Sequence, residues 1–362
     1  MLRKKKTILL LMKQQPNIVF FYTEIAPYFL ACCNKLVEDY QVNVHVIRYP
    51  VNNEAPFLFN EADNNVILYN RKNYSKDELL KLVKSINPNK IICSGWIDKD
   101  YLRICKKYSK KIPTVLTLDT HWKGSFKQYI ASFLSPFLLK NKFSHAWVPG
   151  VIQKKYARKL GFKDNEIILG FYSCDFDYFS SIRNKIITQK AQTFPKRFIF
   201  VGRYYDFKGV DKLWKAFIEL QNENPNEWEL WCLGTGTLQS VQHSKIKHCG
   251  FVQPENFLKY AQQTGVFVMP SLFEPWGVVL HEFAAMGYPL LASDRVGATE
   301  AFLRDNKNGF VFRADDVNSL KEKLKEMMHL PTEQLNLMGE YSYKLAQNIT
   351  PKMWADNLMK LI

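Results

Sequence analysis

Short, continuously apolar runs of strand length alternate with longer helix-period segments along this chain, and the alternation happens twice. In the first half the runs are Asn17–Tyr22, Val42–Val46, Val66–Tyr69, Ile91–Ser94, Thr114–Leu118 and Ala146–Val148. In the second they are Phe198–Gly202, Glu229–Leu233, Ile246–Cys249, Val266–Met269 and Pro289–Ala292. Helix-period stretches such as Lys76–Ile86, Val210–Gln221, Glu255–Gln262 and Val278–Met286 fall between them. A strand that is apolar at every position must be covered on both faces, which a parallel sheet with helical crossovers achieves. Two such sets in 362 residues predict an α/β chain of two doubly wound domains. The domains are placed at 1–180 and 181–340, with the polar, weakly periodic Ser180–Lys196 as the connecting segment. The tail, 341–362, reads as helical with a break at Pro351 and is expected to cross back to the first domain.

The seven cysteines include no Cys-x-x-Cys pair. An odd, unpatterned set suits a reducing compartment better than a disulfide framework or a zinc site, and Cys32 and Cys33 read as core. Met1–Met12 has basic residues followed by an apolar run too short for a signal peptide. No segment has the apolar length of a membrane span. A cytoplasmic protein is therefore expected.

Charge is unevenly placed. Residues 1–170 carry 28 Lys and Arg against 13 Asp and Glu, and the remainder 22 against 21, so nearly all of the net +16 lies on the first half. One domain alone is then expected to meet a polyanionic surface, either anionic lipid or nucleic acid.

Two segments of the second half carry chemistry. Phe198–Gly202 runs into Arg203-Tyr-Tyr-Asp-Phe-Lys208-Gly209, which brings two cations to the carboxyl end of a buried strand. Ligands bind there in open α/β sheets, and both cations suit phosphate oxygens. The second segment is Glu274-Pro275-Trp-Gly277-Val278-Val279-Leu-His-Glu282. Pro275 pushes Glu274 out of helical geometry into a loop. Gly277 permits close backbone approach, and a helix starting near Val278 offers free amides to a diphosphate. Glu282, one turn further on, can accept two hydrogen bonds from a ribose diol.

Arg203-x4-Lys208-Gly209, the Glu-x7-Glu of Glu274 and Glu282, and the Gly-x-Pro of Gly287 and Pro289 resemble glycosyltransferase family 4. Gly234-Thr-Gly236 and Gly250-Phe251-Val252 also fit its pattern. The resemblance is dense from about residue 198 to 312 and covers the first half only in outline. It implies the GT-B fold, two Rossmann-like domains facing across a cleft, and a retaining transferase that moves a sugar from a nucleotide diphosphate sugar. It further implies that Arg203 and Lys208 neutralise the leaving diphosphate, that no metal or other cofactor is needed, and that Glu282 binds the ribose. Glu274 would hold the donor sugar, with Gly202, Gly277, Val278 and Val279 around the donor and Phe251 and Val252 beside the base. Asp98-Lys-Asp100 reads as the polar start of a helix rather than as a ligand pair.

In the first half, Thr114–Leu118 leads into Asp119-Thr120-His121-Trp122. The family places a histidine here facing the donor sugar, so His121 is expected in the cleft, with Asp119 orienting either the acceptor or His121. The family's glycine-rich turn after the first strand is missing; Glu24 and Tyr28 stand there and are candidate acceptor contacts. Phe126, Tyr129, Ile130, Phe133, Leu134, Phe137 and Leu138 recur at helical spacing between Lys123, Lys127, Lys140 and Lys142. Residues 126–143 thus suit shallow burial in an anionic membrane surface at the inner face of the cell membrane. A lipid-linked glycan of surface polysaccharide or glycolipid biosynthesis would then be the acceptor. Nucleic-acid binding is disfavoured because no RNP-type strand, zinc spacing or helix-turn-helix signal appears. A nicotinamide dehydrogenase would require Gly-x-Gly-x-x-Gly after Tyr22. A sugar-nucleotide-binding descendant without transferase activity stays open.

Overall fold

The computed structural model describes residues 15–51, 56–57 and 66–361; the segment Met1–Met12 lies outside them. The first sheet holds β1 (Asn17–Tyr22), β2 (Asn43–Arg48), β3 (Val66–Asn70), β4 (Lys90–Ser94), β5 (Thr114–Thr117), β6 (His145–Val148) and β7 (Ile167–Leu169). Its spatial order is β3-β2-β1-β4-β5-β6-β7. The second sheet holds β8 (Arg197–Val201), β9 (Glu229–Leu233), β10 (Ile246–His248), β11 (Val266–Met269), β12 (Leu290–Ser293) and β13 (Gly309–Phe312), in the order β10-β9-β8-β11-β12-β13. All the strand pairings are parallel. The order reverses between β1 and β4 and again between β8 and β11. Each reversal opens a crevice at the carboxyl ends of the strands, where a doubly wound sheet binds its ligand.

The apolar strands explain the layering. Along β1, Val19 and Phe21 enter one core while Ile18, Phe20 and Tyr22 enter the other, so helices must cover both faces. Each such side chain taken fully out of water contributes about 1.5–3 kcal/mol.

Three features differ from the sequence reading. Ser180–Lys196 is no loop: the helix Phe176–Gln192 occupies most of it, capped by Asp175, whose side chain accepts from Tyr178 N. Only Phe179, Ile182, Ile186 and Lys190 are buried, a stripe too narrow among polar neighbours to stand out as periodicity. The boundary drawn at 180 falls inside this helix, whose apolar stripe packs with Leu280, Phe283 and Met286 of the second domain. Strands β7 and β13 were also not foreseen; both are short sheet edges. The Asp-x-Asp is built into a helix start as expected: Asp98 accepts from the amides of Asp100 and Tyr101, and Arg71 bridges Asp98 at 2.9 Å and Asp100 at 2.6 Å.

The tail forms the helices Thr332–Ala346 and Pro351–Met359, parted at Pro351. The second lies on the first domain. Trp354 packs among Phe20, Phe29 and Trp147 and donates its Nε1–H to Phe171 O at 2.7 Å.

Candidate functional site

One cleft of about 640 Å³ lies between the two switch points and takes its walls from both domains. Its second-domain wall begins where β8 ends. Gly202 N donates to Leu233 O at 3.0 Å, and Arg203 follows at the strand's mouth. The loop then makes a single turn, Asp206–Lys208, and closes at Gly209, with φ 64°. A Cβ there would stand 2.2 Å from Pro270 O, so only glycine lets this loop lie against the end of β11. That approach brings Lys208 onto Glu274, and the two form an ion pair, with Ser271 Oγ adding a hydrogen bond to Glu274 Oε2 at 3.4 Å.

Glu274 is held in extended geometry by its own backbone: its N–H donates to Arg295 O and its carbonyl accepts from Gly297 N. After Pro275 and Trp276, Gly277 adopts φ 96° and serves as N-cap of the helix Val278–Ala285, whose first turn opens into the cleft. Free amides and the positive end of the peptide dipoles make this an anion seat, facing the loop that carries Arg203 and Lys208. Glu282 lies one turn deeper. Desolvation, with Asp175 nearby as a second cause, pushes its carboxyl up to about 8. A neutral acid at the cleft floor can both donate to and accept from hydroxyls, and it carries no charge to repel an anion seated nearby. Phe251 and Val252 complete this side, Phe251 meeting Phe57 of the first domain edge to face at 5.5 Å.

The opposite wall comes from the ends of β1 and β5. Glu24 and Tyr28 line the cleft where a glycine turn is absent. The helix there starts at Pro27, which has no N–H, so this terminus offers one amide fewer than its counterpart. Asp119 also lines the cleft and accepts from Tyr172 OH at 3.1 Å. Its carboxyl is raised by desolvation, with the charge of Glu274 adding to the effect.

His121 stands apart from the other residues proposed for the site. Among the fourteen residues proposed for the site, it alone does not line the cleft. Its ring packs on Phe273 at 4.9 Å, and Lys123 Nζ stands over the Phe273 ring, 2.9 Å from its centroid. Desolvation, Lys123 and Arg295 together lower its pKa. Phe273, the residue before Glu274, takes up the side chain that the strand end presented. Tyr172, Asp175 and Tyr178 do line the cleft and were not foreseen. They sit just before and at the start of the helix Phe176–Gln192, where the Asp-x-Asp of Asp175 and Asp177 is the only local signal.

The domains are also pinned behind the cleft. Glu300 of the second domain accepts from Val151 N at 2.6 Å and Ile152 N at 3.2 Å, at the start of the first-domain helix Val151–Lys159. Gln153, fully buried on that helix, donates through Nε2 to Pro275 O at 2.5 Å. The residue that follows Glu274 is thus held by the other domain.

Two parallel α/β domains that meet at a cleft between their switch points define the GT-B fold, and this chain has it. Residues 195–329 match the family described as "Glycosyl transferases group 1". Spore coat protein SA of Bacillus subtilis is 26% identical over 180 residues, 45% of this chain and 47% of that protein. The chain spans under half the length of the curated relatives it matches first. A glycosyltransferase from Rickettsia africae superposes with a TM-score of 0.72 at 11% identity, covering 96% of this chain and 97% of the other. Anabaena HepE, solved in complex with UDP and glucose, gives 0.71 at 15% identity, covering 96% and 99%. These likenesses in structure are likenesses of fold across both domains.

Proposed function

We propose that this chain is a retaining glycosyltransferase that moves a sugar from a nucleotide diphosphate sugar to a lipid-linked glycan at an anionic membrane surface. The observation that carries the donor half is convergence. Arg203 and Lys208 from the loop after β8, Glu274 from the loop after β11 and Glu282 from the helix Val278–Ala285 open onto one cleft. Arg203, Lys208 and the helix amides supply the positive charge that a departing diphosphate requires, which lets the reaction run without a metal ion. Glu282 takes the ribose hydroxyls and Glu274 those of the sugar. Retention of anomeric configuration rests on the resemblance to family 4. That HepE was solved with UDP and glucose, and that the family model covers the donor domain, support this donor class.

The acceptor half rests on a surface. The helix Phe126–Ser135 and the turn Pro136–Lys140 that continues it leave Phe126, Phe133 and Phe137 respectively 78, 80 and 74% exposed, beside exposed Tyr129, Ile130, Leu134 and Leu138. Single exposed hydrophobes are common, but seven on one short segment flanked by lysines suit an acyl–headgroup boundary. The same segment is tied to the loop that leaves the cleft wall at Asp119. Gln128 donates to His121 O at 2.8 Å and accepts from Lys123 N at 2.7 Å, seven and five residues upstream. A bilayer met by this segment lies next to the loop that leaves Asp119. No helix among the described residues is long and apolar enough to cross a membrane.

A panel of UDP-, GDP- and ADP-sugars, scored by calorimetry and by release of nucleoside diphosphate, tests the reading. One donor should bind and turn over in the presence of lipid extract. Binding without turnover on any acceptor would leave a sugar-nucleotide-binding protein; no binding at all would overturn the donor assignment.

A further inference from the structure

Away from the donor cleft, the helix Phe176–Gln192, the turn Met286–Gly287 and the helix Thr332–Ala346 enclose a second cavity of about 210 Å³. Two basic side chains stand in its wall. Lys190 is 6% exposed, and among the described residues its Nζ has no hydrogen-bond partner. It meets only the face of Tyr288, 3.3 Å from the ring centroid. Arg183, two turns earlier on the same helix, donates through Nη2 to both oxygens of Glu340 at 2.5 and 2.7 Å. Its Nε is buried and likewise without a partner among the described residues. Its guanidinium lies over Tyr343, 4.0 Å from the centroid.

One carboxylate, Glu340, thus serves two basic groups, and it is spent on the far edge of Arg183. Burying an amine and a guanidinium N–H without acceptors is costly, and natural cores avoid it unless something completes the set. Methionine or leucine would fill the place of Lys190 more favourably. Burial holds the Lys190 amine far below the ordinary lysine range, and an arriving anion would restore its charge.

We propose that this cavity is a binding site for a small anion bearing a phosphate or carboxylate group, drawn to the wall that carries Lys190 and Arg183. The two donors supply a compact charge and one edge of a planar fork, the usual pair for such oxygens. Nothing in this proposal depends on what the cleft binds. The site does touch the donor domain's working helix, because Met286 and Gly287 end the helix whose first turn opens into the cleft.

The test uses the full chain carrying Arg203→Ala and Lys208→Ala, so that an added anion cannot occupy the cleft. Inorganic phosphate and acetate are titrated separately by calorimetry, with melting temperature followed in parallel. One site per chain is expected for at least one of the two probes, with a rise in Tm of about 2 °C or more at saturation. Adding Lys190→Met should weaken that binding by at least about tenfold. The same change should raise Tm in the absence of anion, because the buried amine is gone. Arg183→Gln should also weaken binding, and it carries the test if the methionine variant does not fold. Binding of phosphate alone, or of both probes, assigns the class of anion. Absence of a one-site isotherm for both, or binding equal in all three backgrounds, would overturn the proposal and leave Lys190 as a lysine parked on Tyr288.

Discussion

Lys208 and Glu274, 66 residues apart in sequence, are ion-paired at the mouth of the donor cleft. The pair joins the loop after β8 to the loop after β11, so the cation proposed for the phosphate and the carboxylate proposed for the sugar hydroxyls position each other. Side-chain exposures of 18 and 14% mean that solvent screens the pair only in part. Removing one partner leaves the other charge uncompensated where the donor must enter.

Lys208→Ala should therefore lower kcat/KM by about 10²–10³. It removes a contact to the diphosphate and also leaves Glu274 to repel it. Adding Glu274→Gln should recover part of the lost affinity for free nucleoside diphosphate, though not the turnover. Steady-state rates and calorimetry on the two single variants and the double variant give the coupling. A Lys208→Ala enzyme within a few-fold of wild type would take Lys208 out of the reaction.

Glu282 makes stability depend on pH in a stated direction. Its carboxyl titrates at about 8 in the folded chain, above the ordinary glutamate value of 4.5. Between those values the folded state keeps a proton that the unfolded chain has shed, so this group's contribution to stability falls as pH rises through the window and levels off above it. Glu282→Gln removes the dependence. The variant should gain on wild type between pH 5 and 8, by a margin on the order of a few kcal/mol, read from denaturant melts. If the carboxylate then accepts from the ribose, binding of nucleoside diphosphate near pH 7 should release more protons in wild type than in the variant. Equal proton release in two buffers of different ionisation enthalpy would remove Glu282 from the ribose.

Gln153 and Glu300 predict a link between domain spacing and the Glu274 loop. Gln153→Ala strips the buried Pro275 carbonyl of its donor and should cost about 1–3 kcal/mol. Glu300→Ala frees the first turn of the helix Val151–Lys159 from the second domain. Both should widen the unliganded molecule in small-angle scattering, and both should raise KM for the donor more than they lower kcat. Scattering and melting curves that match wild type would leave the clasp without weight.

Much of this arrangement was legible in the sequence because parallel strands buried on both faces write themselves as unbroken apolar runs. β1, β9 and β11 fall on the residues those runs marked, and the helix Lys76–Ile86 announces itself through Ser75 and Glu78, which form a capping box. The residues proposed for the donor come in local spacings, Arg-x4-Lys and Glu-x7-Glu, and the structure brings them onto one cleft. What the sequence does not show is what depends on distant neighbours. His121 follows a strand as expected, yet Phe273 from the other domain captures its ring. Asp175 and Tyr172 reach the cleft only because the helix Phe176–Gln192 packs on the second domain, which a polar, narrow-striped sequence does not reveal. The pairing of Glu300 with a helix start 149 residues away has no local signature at all.

The exposed segment from Phe126 to Lys140 separates two kinds of membrane attraction that can be measured apart. Lysines near an anionic bilayer contribute about 1 kcal/mol each, and their pull fades as the screening length drops to roughly 8 Å at physiological salt. Lys123 and Lys127 are exposed beside the segment and would act in this way. Apolar insertion is indifferent to salt and depends on side chains that no part of the described protein covers, chiefly Phe133 and Phe137. Flotation with anionic liposomes should thus recover the wild-type chain at low salt and part of it at high salt. Phe133→Ser/Phe137→Ser should lose the salt-resistant part while keeping its fold, since neither ring belongs to a core cluster. Lys123→Gln/Lys127→Gln should do the reverse, weakening binding at low salt and leaving the residue at high salt. Neutral liposomes should retain only the phenylalanine-dependent fraction. If wild type fails to float with anionic liposomes even at low salt, the segment does not dock on lipid, and a soluble acceptor replaces the lipid-linked one.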